Sequence, residues 1–410
     1  MLSTSDIQLE LLKLGEEASK VISPQLPYVQ YVPKESVEVE ASVKVLSNKV
    51  DKLDLFSINN GNGNFSSVLS LDSSSRILKS TFMNLVVIGA SAFSTERGFY
   101  TFPFEVSGRY IGVASYLEIL RRLEGAIKSG YLAFRNLVGY EYALDEVEMD
   151  NGRVESLYHL DDVADELRVE AENNIIRSSK EDLLILDGPL FPTPRELSQS
   201  FVFSRPKDYS RLNHYGRLTH RWAYGQLVKD RVDLITSRRA VGVVKRLENS
   251  KKLAMVSKEL FGENMNLNDT QILDLKSNSL CNSSHQLCLI GPLEIDTNIY
   301  VYREDTSTVV INGVPKRYAY YAILRIPAGV QTFFRLESMD LQVLSDSVME
   351  VFSSITTSVL PSYIEKVDTM AKNVTKGLFY LSFNVLKDFI TFLHDTKLEA
   401  VSIAQELNKY

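Results

Sequence analysis

The sequence lacks several features that define well-known classes of protein. It has only two cysteines in 410 residues, which excludes a disulfide framework and makes a reducing compartment the default expectation. No apolar run reaches the ~18 residues needed to cross a bilayer. The first residues show no basic segment followed by an apolar core, so a signal peptide is not predicted. These absences predict a cytoplasmic protein without a membrane segment.

Several sequence motifs that carry chemistry are also missing. There is no Gly-rich phosphate loop, no nucleophile elbow and no paired cysteine motif with metal-ligand spacing. His285 lies between Cys281 and Cys288, but a zinc site needs about four ligands and no second cluster lies nearby. Ordinary packing of the two cysteines is therefore predicted.

Charge is ordinary in total but uneven along the chain. The formal net charge of −7 gives no general case for nucleic-acid binding, so any such surface must be a local patch. Residues 211–246 are the candidate, because they include nine basic and two acidic residues with Tyr215, Trp222 and Tyr224 interleaved. Cations that track phosphates and aromatic rings that stack on bases suit single-stranded DNA. The alternative is a solvated surface helix whose aromatic residues face the core.

The hydrophobic pattern predicts a mixture of helices and strands. Helical spacing indicates a helix over Asp6–Ile22, and the region from Leu53 to Phe104 reads as short strands separated by Gly, Asn and Ser. Its first strand is predicted in "LDLFSIN", which ends abruptly at Asn59, Asn60 and Gly61. The continuous apolar run "DLLILD" suits a strand that is buried on both faces.

Acidic residues stand at the ends of several of these elements. Asp187 ends the buried strand just before Gly188, Glu166 and Glu170 lie one helical turn apart, and Asp368 follows Pro361 in a predicted helix. Carboxylates that converge on a pocket are the ligands that hard divalent cations need, and two such cations can stabilise a phosphodiester displacement. The alternative is that "LDGPL" is only a turn, since Asp and Gly-Pro both favour one.

An ordered set of segments resembles the NurA nucleases of archaea and bacteria. "DLLILDGPL" resembles the second acidic motif of that family, and "AVGVVKR", "LNDTQIL", "YAYYAILRIPAGVQTFFRLE" and "LPSYIEKVDTMAKN" follow in the family's order. The resemblance implies an α/β fold with a ribonuclease H-like mixed sheet flanked by helices. It also implies Mn²⁺ or Mg²⁺ as cofactor, DNA ends as substrate in double-strand-break repair, a HerA-type hexameric ATPase as partner and a homodimer.

The resemblance also implies a domain organisation and a set of site residues. Residues 1–52 would be an N-terminal helical segment, 53–375 the NurA-like domain with a basic insertion around 195–235, and 376–410 a C-terminal helical extension. The implied metal ligands are Asp187, Asp368, Glu170 (or Glu166, one turn earlier) and Asn60. Lys245 would join Asp187, Glu170 and Asp368 as a catalytic residue. The implied DNA-binding residues are Arg217, Arg221, Trp222, Arg238, Arg239 and Lys245.

Asn60 is the one departure in this set, because it stands where the first motif of the family has an aspartate. An amide keeps an oxygen ligand but removes a negative charge next to the cation. Two functions therefore remain open: a metal-dependent deoxyribonuclease, and a catalytically weakened or inactive paralogue that binds DNA or docks onto an ATPase. A third interpretation is an unrelated two-domain protein whose segments match by chance.

Overall fold

The computed structural model describes residues 3–21, 42–59, 64–81, 84–106, 113–115, 147–148, 154–155, 160–192, 224, 227–296, 300–302, 308–310, 314–326 and 330–407. No helix within these ranges combines the length and the apolar character that crossing a membrane requires.

The centre of the protein is an 11-stranded mixed sheet with the order β1-β11-β14-β15-β10-β9-β3-β4-β5, to which β2 adds beside β11 and β6 beside β4. Strands β3, β9 and β10 run parallel, and the other described pairings are antiparallel. The strands are β1 (Ser42–Val45), β2 (Val50–Asp54), β3 (Val68–Leu78), β4 (Leu85–Ser94), β5 (Gly98–Phe102), β6 (Val113–Ser115), β7 (Val147–Glu148), β8 (Val154–Glu155), β9 (Leu183–Asp187), β10 (Arg239–Val244), β11 (Gln286–Asp296), β12 (Tyr300–Tyr302), β13 (Thr308–Val310), β14 (Arg317–Arg325) and β15 (Gln331–Ser338). The pairs β7–β8 and β12–β13 form two small separate sheets.

Helices cover both faces of the main sheet. They are α1 (Thr4–Val21), α2 (Leu55–Asn59), α3 (Leu160–Ser178), α4 (227–235), α5 (Lys252–Phe261), α6 (Asp269–Leu280), α7 (Leu341–Val351), α8 (Ser362–Leu386) and α9 (His394–Leu407). On one face, α3 and α4 pack on one end of the sheet and α5 and α6 on the other. On the opposite face α7 and α8 cover the centre, and α1 and α9 pack beside α8.

The parallel strands owe their central position to their side chains. In β9, Leu183 to Leu186 are all buried and alternate between the cores on the two faces of the sheet, as expected for a parallel strand covered on both sides. Glycines let neighbouring backbones approach closely in this region. A Cβ on Gly242 in β10 would lie 2.6 Å from the carbonyl oxygen of Gly188, so the chain after β9 can cross β10 only because that residue is glycine.

The predicted mixed α/β architecture with helices around a central mixed sheet is confirmed. The strand predicted in "LDLFSIN" is wrong after Asp54, because Leu55–Asn59 forms the short helix α2 and the preceding strand β2 pairs with β11, away from β9. The predicted N-terminal segment 1–52 contains α1 but also β1 and part of β2, which belong to the main sheet. The boundary predicted at 375/376 falls inside α8.

The two cysteines correct another prediction. Cys281 and Cys288 are joined in a disulfide with their Cα atoms 5.8 Å apart, whereas ordinary packing of two thiols was predicted. Both residues are fully buried where α6 ends and β11 begins. The sequence offered little guidance, since two isolated cysteines can pack as thiols or pair, and only the distance between them decides.

Candidate metal centre

Strand β3 carries an aspartate in its middle. Along β3 the side chains alternate, so Leu69 and Leu71 enter the core under α3, while Val68, Ser70 and Asp72 face α8. Asp72 is only 7% exposed. Burying a carboxyl group at the centre of a sheet is costly unless it is paired, protonated or bound to a cation, and this position therefore calls for a chemical explanation.

Strand β9 places a second aspartate next to the first. The parallel register pairs Leu71 with Leu186, so Asp72 and Asp187 are the next residues along two neighbouring strands. Asp187 ends β9 and is followed by Gly188, whose φ of 132° turns the chain away from the sheet. Parallel neighbouring strands thus bring two carboxylates from distant parts of the chain to one face.

Helix α8 supplies the third carboxylate. It crosses β3 and β4 closely, because a Cβ on Gly89 would lie 2.7 Å from Thr375 Oγ1, and that hydroxyl donates a hydrogen bond to the carbonyl of Ser74 at 3.2 Å. This crossing holds Asp368, near the start of α8, beside Asp72 and Asp187. The three carboxyl groups of Asp72, Asp187 and Asp368 each offer an oxygen, and these oxygens all lie within 4.8 Å of one another.

Lys245 lies directly beside this cluster. It follows β10, and its Nζ is 2.6 Å from Asp187 Oδ2 and 3.2 Å from Asp368 Oδ1. Lys372, one turn along α8, lies 2.6 Å from the other oxygen of Asp368. Two ammonium groups therefore partly balance three carboxyl groups.

Burial sets the protonation behaviour of the cluster. Burial, together with the neighbouring Asp187 charge, raises the pKa of Asp72 to about 8. Burial also raises the pKa of Asp187 to about 6, although Lys245 opposes this shift. Burial works in the same direction on Asp368, but the ammonium groups of Lys372 and Lys245 outweigh it and its pKa is lowered. Raised pKa values of this kind are found where carboxylates share a site that attracts a cation.

On the other side of Asp187, facing α3, lies a cavity of about 110 Å³. Its polar wall includes Glu172, whose carboxylate accepts a hydrogen bond from Ser73 Oγ at 2.5 Å and lies 2.7 Å from the guanidinium of the buried Arg231. Its apolar wall is formed by Leu71, Val169, Leu186, Pro189, Pro192 and Tyr224. The cavity gives the candidate centre a neighbouring recess of mixed polarity.

The structure brings together only part of the predicted metal site. Asp187 and Asp368 belong to the three-carboxylate cluster, and Lys245 contacts both. Glu170 is half-buried on α3 and is not among the three, while Glu166 is fully buried. The acidic side chain of α3 whose charge acts on both Asp72 and Asp187 is Glu172. It lies two positions from Glu170 and therefore on a different side of the helix.

Asn60 lies outside the described residues, and the third carboxylate of the cluster is Asp72. Sequence analysis missed Asp72 because "LSLDSSS" reads as a half-polar surface strand, with no break to mark it. The signal that the sequence did contain was the position of this aspartate, which is the one acidic residue in the β-rich stretch "VLSLDSSSRIL". A charged residue in such a strand must either face water or have a function.

Of the predicted DNA-binding residues that the structure describes, Lys245 contacts this centre, whereas Arg238 and Arg239 have other partners. Arg217, Arg221 and Trp222 lie outside the described residues. The Arg238 guanidinium donates to the carbonyl oxygens of Ile176, Ser179 and Glu181, and Arg239 forms an ion pair with Asp182. Arg239 pairs with Leu183 at the start of β9, about 13 Å from Asp187 at ~3.3 Å per residue.

The NurA domain family matches residues 66–373. This match begins after the Asn-rich sequence at 59–64 and includes Asp72, Asp187 and Asp368. No curated protein sequence matches the chain. Among solved structures, the chain is similar to the NurA nuclease from Sulfolobus solfataricus, with 10% identity over 80% of this chain and 89% of that one and a TM-score of 0.35. It is also similar to NurA bound to dAMP and manganese (11% identity, 75% and 84% coverage, TM-score 0.32) and to NurA with manganese (13%, 81% and 93%, 0.33). Because the domain match covers most of its length, the chain belongs to the NurA family.

Proposed function

We propose that the protein is a metal-dependent deoxyribonuclease whose cation is held by Asp72, Asp187 and Asp368. The observation that carries this proposal is the convergence of three carboxylates, from two strands and a helix, inside the matched domain. The solved NurA structures with manganese, and with manganese and dAMP, support the same choice of cofactor and of a nucleotide substrate.

The donor set fits Mn²⁺ or Mg²⁺. All three ligand groups are carboxylates, which hard cations prefer, and the cluster includes no Cys or His. Ligand oxygens around one octahedral cation lie ~3–4 Å apart at bond lengths of ~2.1 Å, so a mutual separation within 4.8 Å needs only small side-chain adjustments. A bound divalent cation would lower the pKa of water and neutralise charge on a phosphodiester.

The residues of the chain would then divide the remaining work. The three carboxylates would hold the cation beside the middle of β3 and the end of β9. The Lys245 ammonium, which already lies between Asp187 and Asp368, would stabilise the charge that develops on a phosphate oxygen. Glu172, on the α3 side, would act on the cluster through its charge. An acid of α3 as a direct ligand, Glu170 by the family resemblance, stays a proposal.

An active centre is favoured over a weakened one because of Asp72. The case for an inactive paralogue depended on a missing first carboxylate at Asn60. Asp72 supplies the third carboxylate of the cluster, so the proposed cation site lacks no negative charge although residue 60 is an asparagine. A role at DNA ends in double-strand-break repair, a HerA-type ATPase partner, a homodimer and a cytoplasmic location remain predictions from the family resemblance.

The test is single-turnover cleavage of end-labelled single-stranded and blunt duplex DNA in Mn²⁺. We expect cleavage by the unaltered protein, its loss in chelator, and a loss of several orders of magnitude in Asp72→Ala and Asp187→Ala. Asp182→Ala is the matched control, because Asp182 precedes the same strand at its far end, ~16 Å from Asp187. If Asp187→Ala cleaves as fast as the unaltered protein, the nuclease assignment fails.

A further inference from the structure

Two buried serines lie next to Asp72 on the face covered by α8. Ser70 precedes Asp72 by two residues on β3, and Ser91 on β4 is its direct cross-strand partner. Side chains two apart on a strand, and those directly opposite across a ladder, share one face of the sheet. Both serines are 0% exposed. The aspartate is therefore flanked by a hydroxyl group on its own strand and by another on the neighbouring strand.

Neither hydroxyl has a hydrogen-bond partner among the residues that the structure describes. Leaving a buried hydroxyl unpaired costs roughly 1–3 kcal/mol, and most native structures avoid this. Close packing of α8 explains why the residues here are small, since the next position on the same face of β4 is Gly89. Close packing does not explain why they carry hydroxyls, because alanine would fit the same space at a lower cost.

Ser91 is the better placed of the two to contact the carboxylate. Directly opposite residues on antiparallel strands have Cβ atoms about 4.5–5.5 Å apart, so a change in χ1 brings the Ser91 hydroxyl within hydrogen-bonding distance of Asp72. An ionised carboxylate has about four lone-pair sites, and a cation takes only one or two of them. The remaining sites need a donor in this dry environment.

We propose that Ser91 is a positioning residue for the metal centre: its hydroxyl donates to the Asp72 oxygen that faces away from the cation and fixes the orientation of that carboxylate. The proposal rests on the proposed metal centre. Outer hydrogen-bond partners of this kind typically change metal affinity 10- to 100-fold when they are removed. Ser91 touches neither substrate nor cation in this arrangement.

Calorimetric titration of the full-length, metal-free protein with Mn²⁺ tests the proposal. We expect Ser91→Ala to weaken Mn²⁺ affinity about 10- to 100-fold. Its metal-free melting temperature should be unchanged or higher, because an unpaired hydroxyl has been removed.

Ser382→Ala is the matched control. Ser382 is also fully buried, and its hydroxyl has no partner in the described part of the chain, but it lies 14 residues beyond Asp368 on α8, ~21 Å along the helix. It should leave Mn²⁺ affinity unchanged. Unaltered affinity in Ser91→Ala, or an equal loss in Ser382→Ala, would overturn the positioning role and leave Ser91 as a packing residue. Failure of the unaltered protein to bind Mn²⁺ would instead overturn the metal centre itself.

Discussion

Replacing Asp72 by asparagine should stabilise the metal-free protein at neutral pH. The folded-state pKa of Asp72 lies at about 8, whereas the ordinary value is 3.8. Folding therefore requires this group to take up a proton at any pH between the two values. The contribution of Asp72 to the free energy of unfolding is therefore fully present below pH ~4 and is lost as the pH rises towards 8.

The magnitude follows from the size of the shift. Each pH unit corresponds to ~1.4 kcal/mol, so the roughly three units between 3.8 and neutral pH amount to about 4 kcal/mol at pH 7. Asparagine has nearly the same shape and stays neutral, so Asp72→Asn should not show this loss in the free energy of unfolding.

Urea denaturation in chelator, repeated from pH 4 to pH 9, measures the effect. The free energy of unfolding of the unaltered protein should fall relative to that of Asp72→Asn by up to ~1.4 kcal/mol per pH unit until about pH 8. Asp51→Asn, which alters an exposed aspartate on β2, should run parallel to the unaltered protein at every pH. A difference between Asp72→Asn and the unaltered protein that stays constant from pH 5 to pH 8 would refute the reasoning.

The same variant should behave in the opposite way towards Mn²⁺. At a free concentration of 100 times its dissociation constant, a ligand stabilises the folded state by ~2.7 kcal/mol. The unaltered protein should gain this amount, while Asp72→Asn should gain little. A variant that is more stable without metal and unresponsive to it identifies Asp72 as a ligand rather than as a structural residue.

Three further predictions concern other parts of the chain. Glu172→Gln should lower the free energy of unfolding, measured in urea, by about 3 kcal/mol, because it removes the carboxylate that is paired with the charge of the buried Arg231; the double variant Glu172→Met/Arg231→Met should recover most of that loss. Cys281→Ser/Cys288→Ser should cost about 2.5 kcal/mol, the value expected for so short a loop. Thiol alkylation under denaturing, non-reducing conditions should modify neither cysteine of the unaltered protein, and modification of both would contradict the disulfide. Asn60→Asp should leave the cleavage rate unchanged. A faster rate would instead indicate that the first motif of the family lies at residue 60, as the sequence predicted.

Asp187 shows why part of the site could be predicted from sequence. A short apolar run that ends in Asp-Gly-Pro suits a strand buried on both faces, and an acid directly after it is expected at the edge of that interior. Asp368 was predicted by a similar argument, since Pro361 marks a helix start. Asp72 offered no such local contrast, because the serines around it are compatible with an exposed strand.

The sequence by itself determined the mixed α/β class, the buried strand β9 and the acid at its end, because these depend on local patterns of apolar and polar residues. Only the tertiary structure decided which of the 52 acidic residues meet. The parallel register of β3 and β9 brings together Asp72 and Asp187, and the crossing of α8 adds Asp368. These three residues are more than a hundred positions apart from one another, so no local pattern could link them.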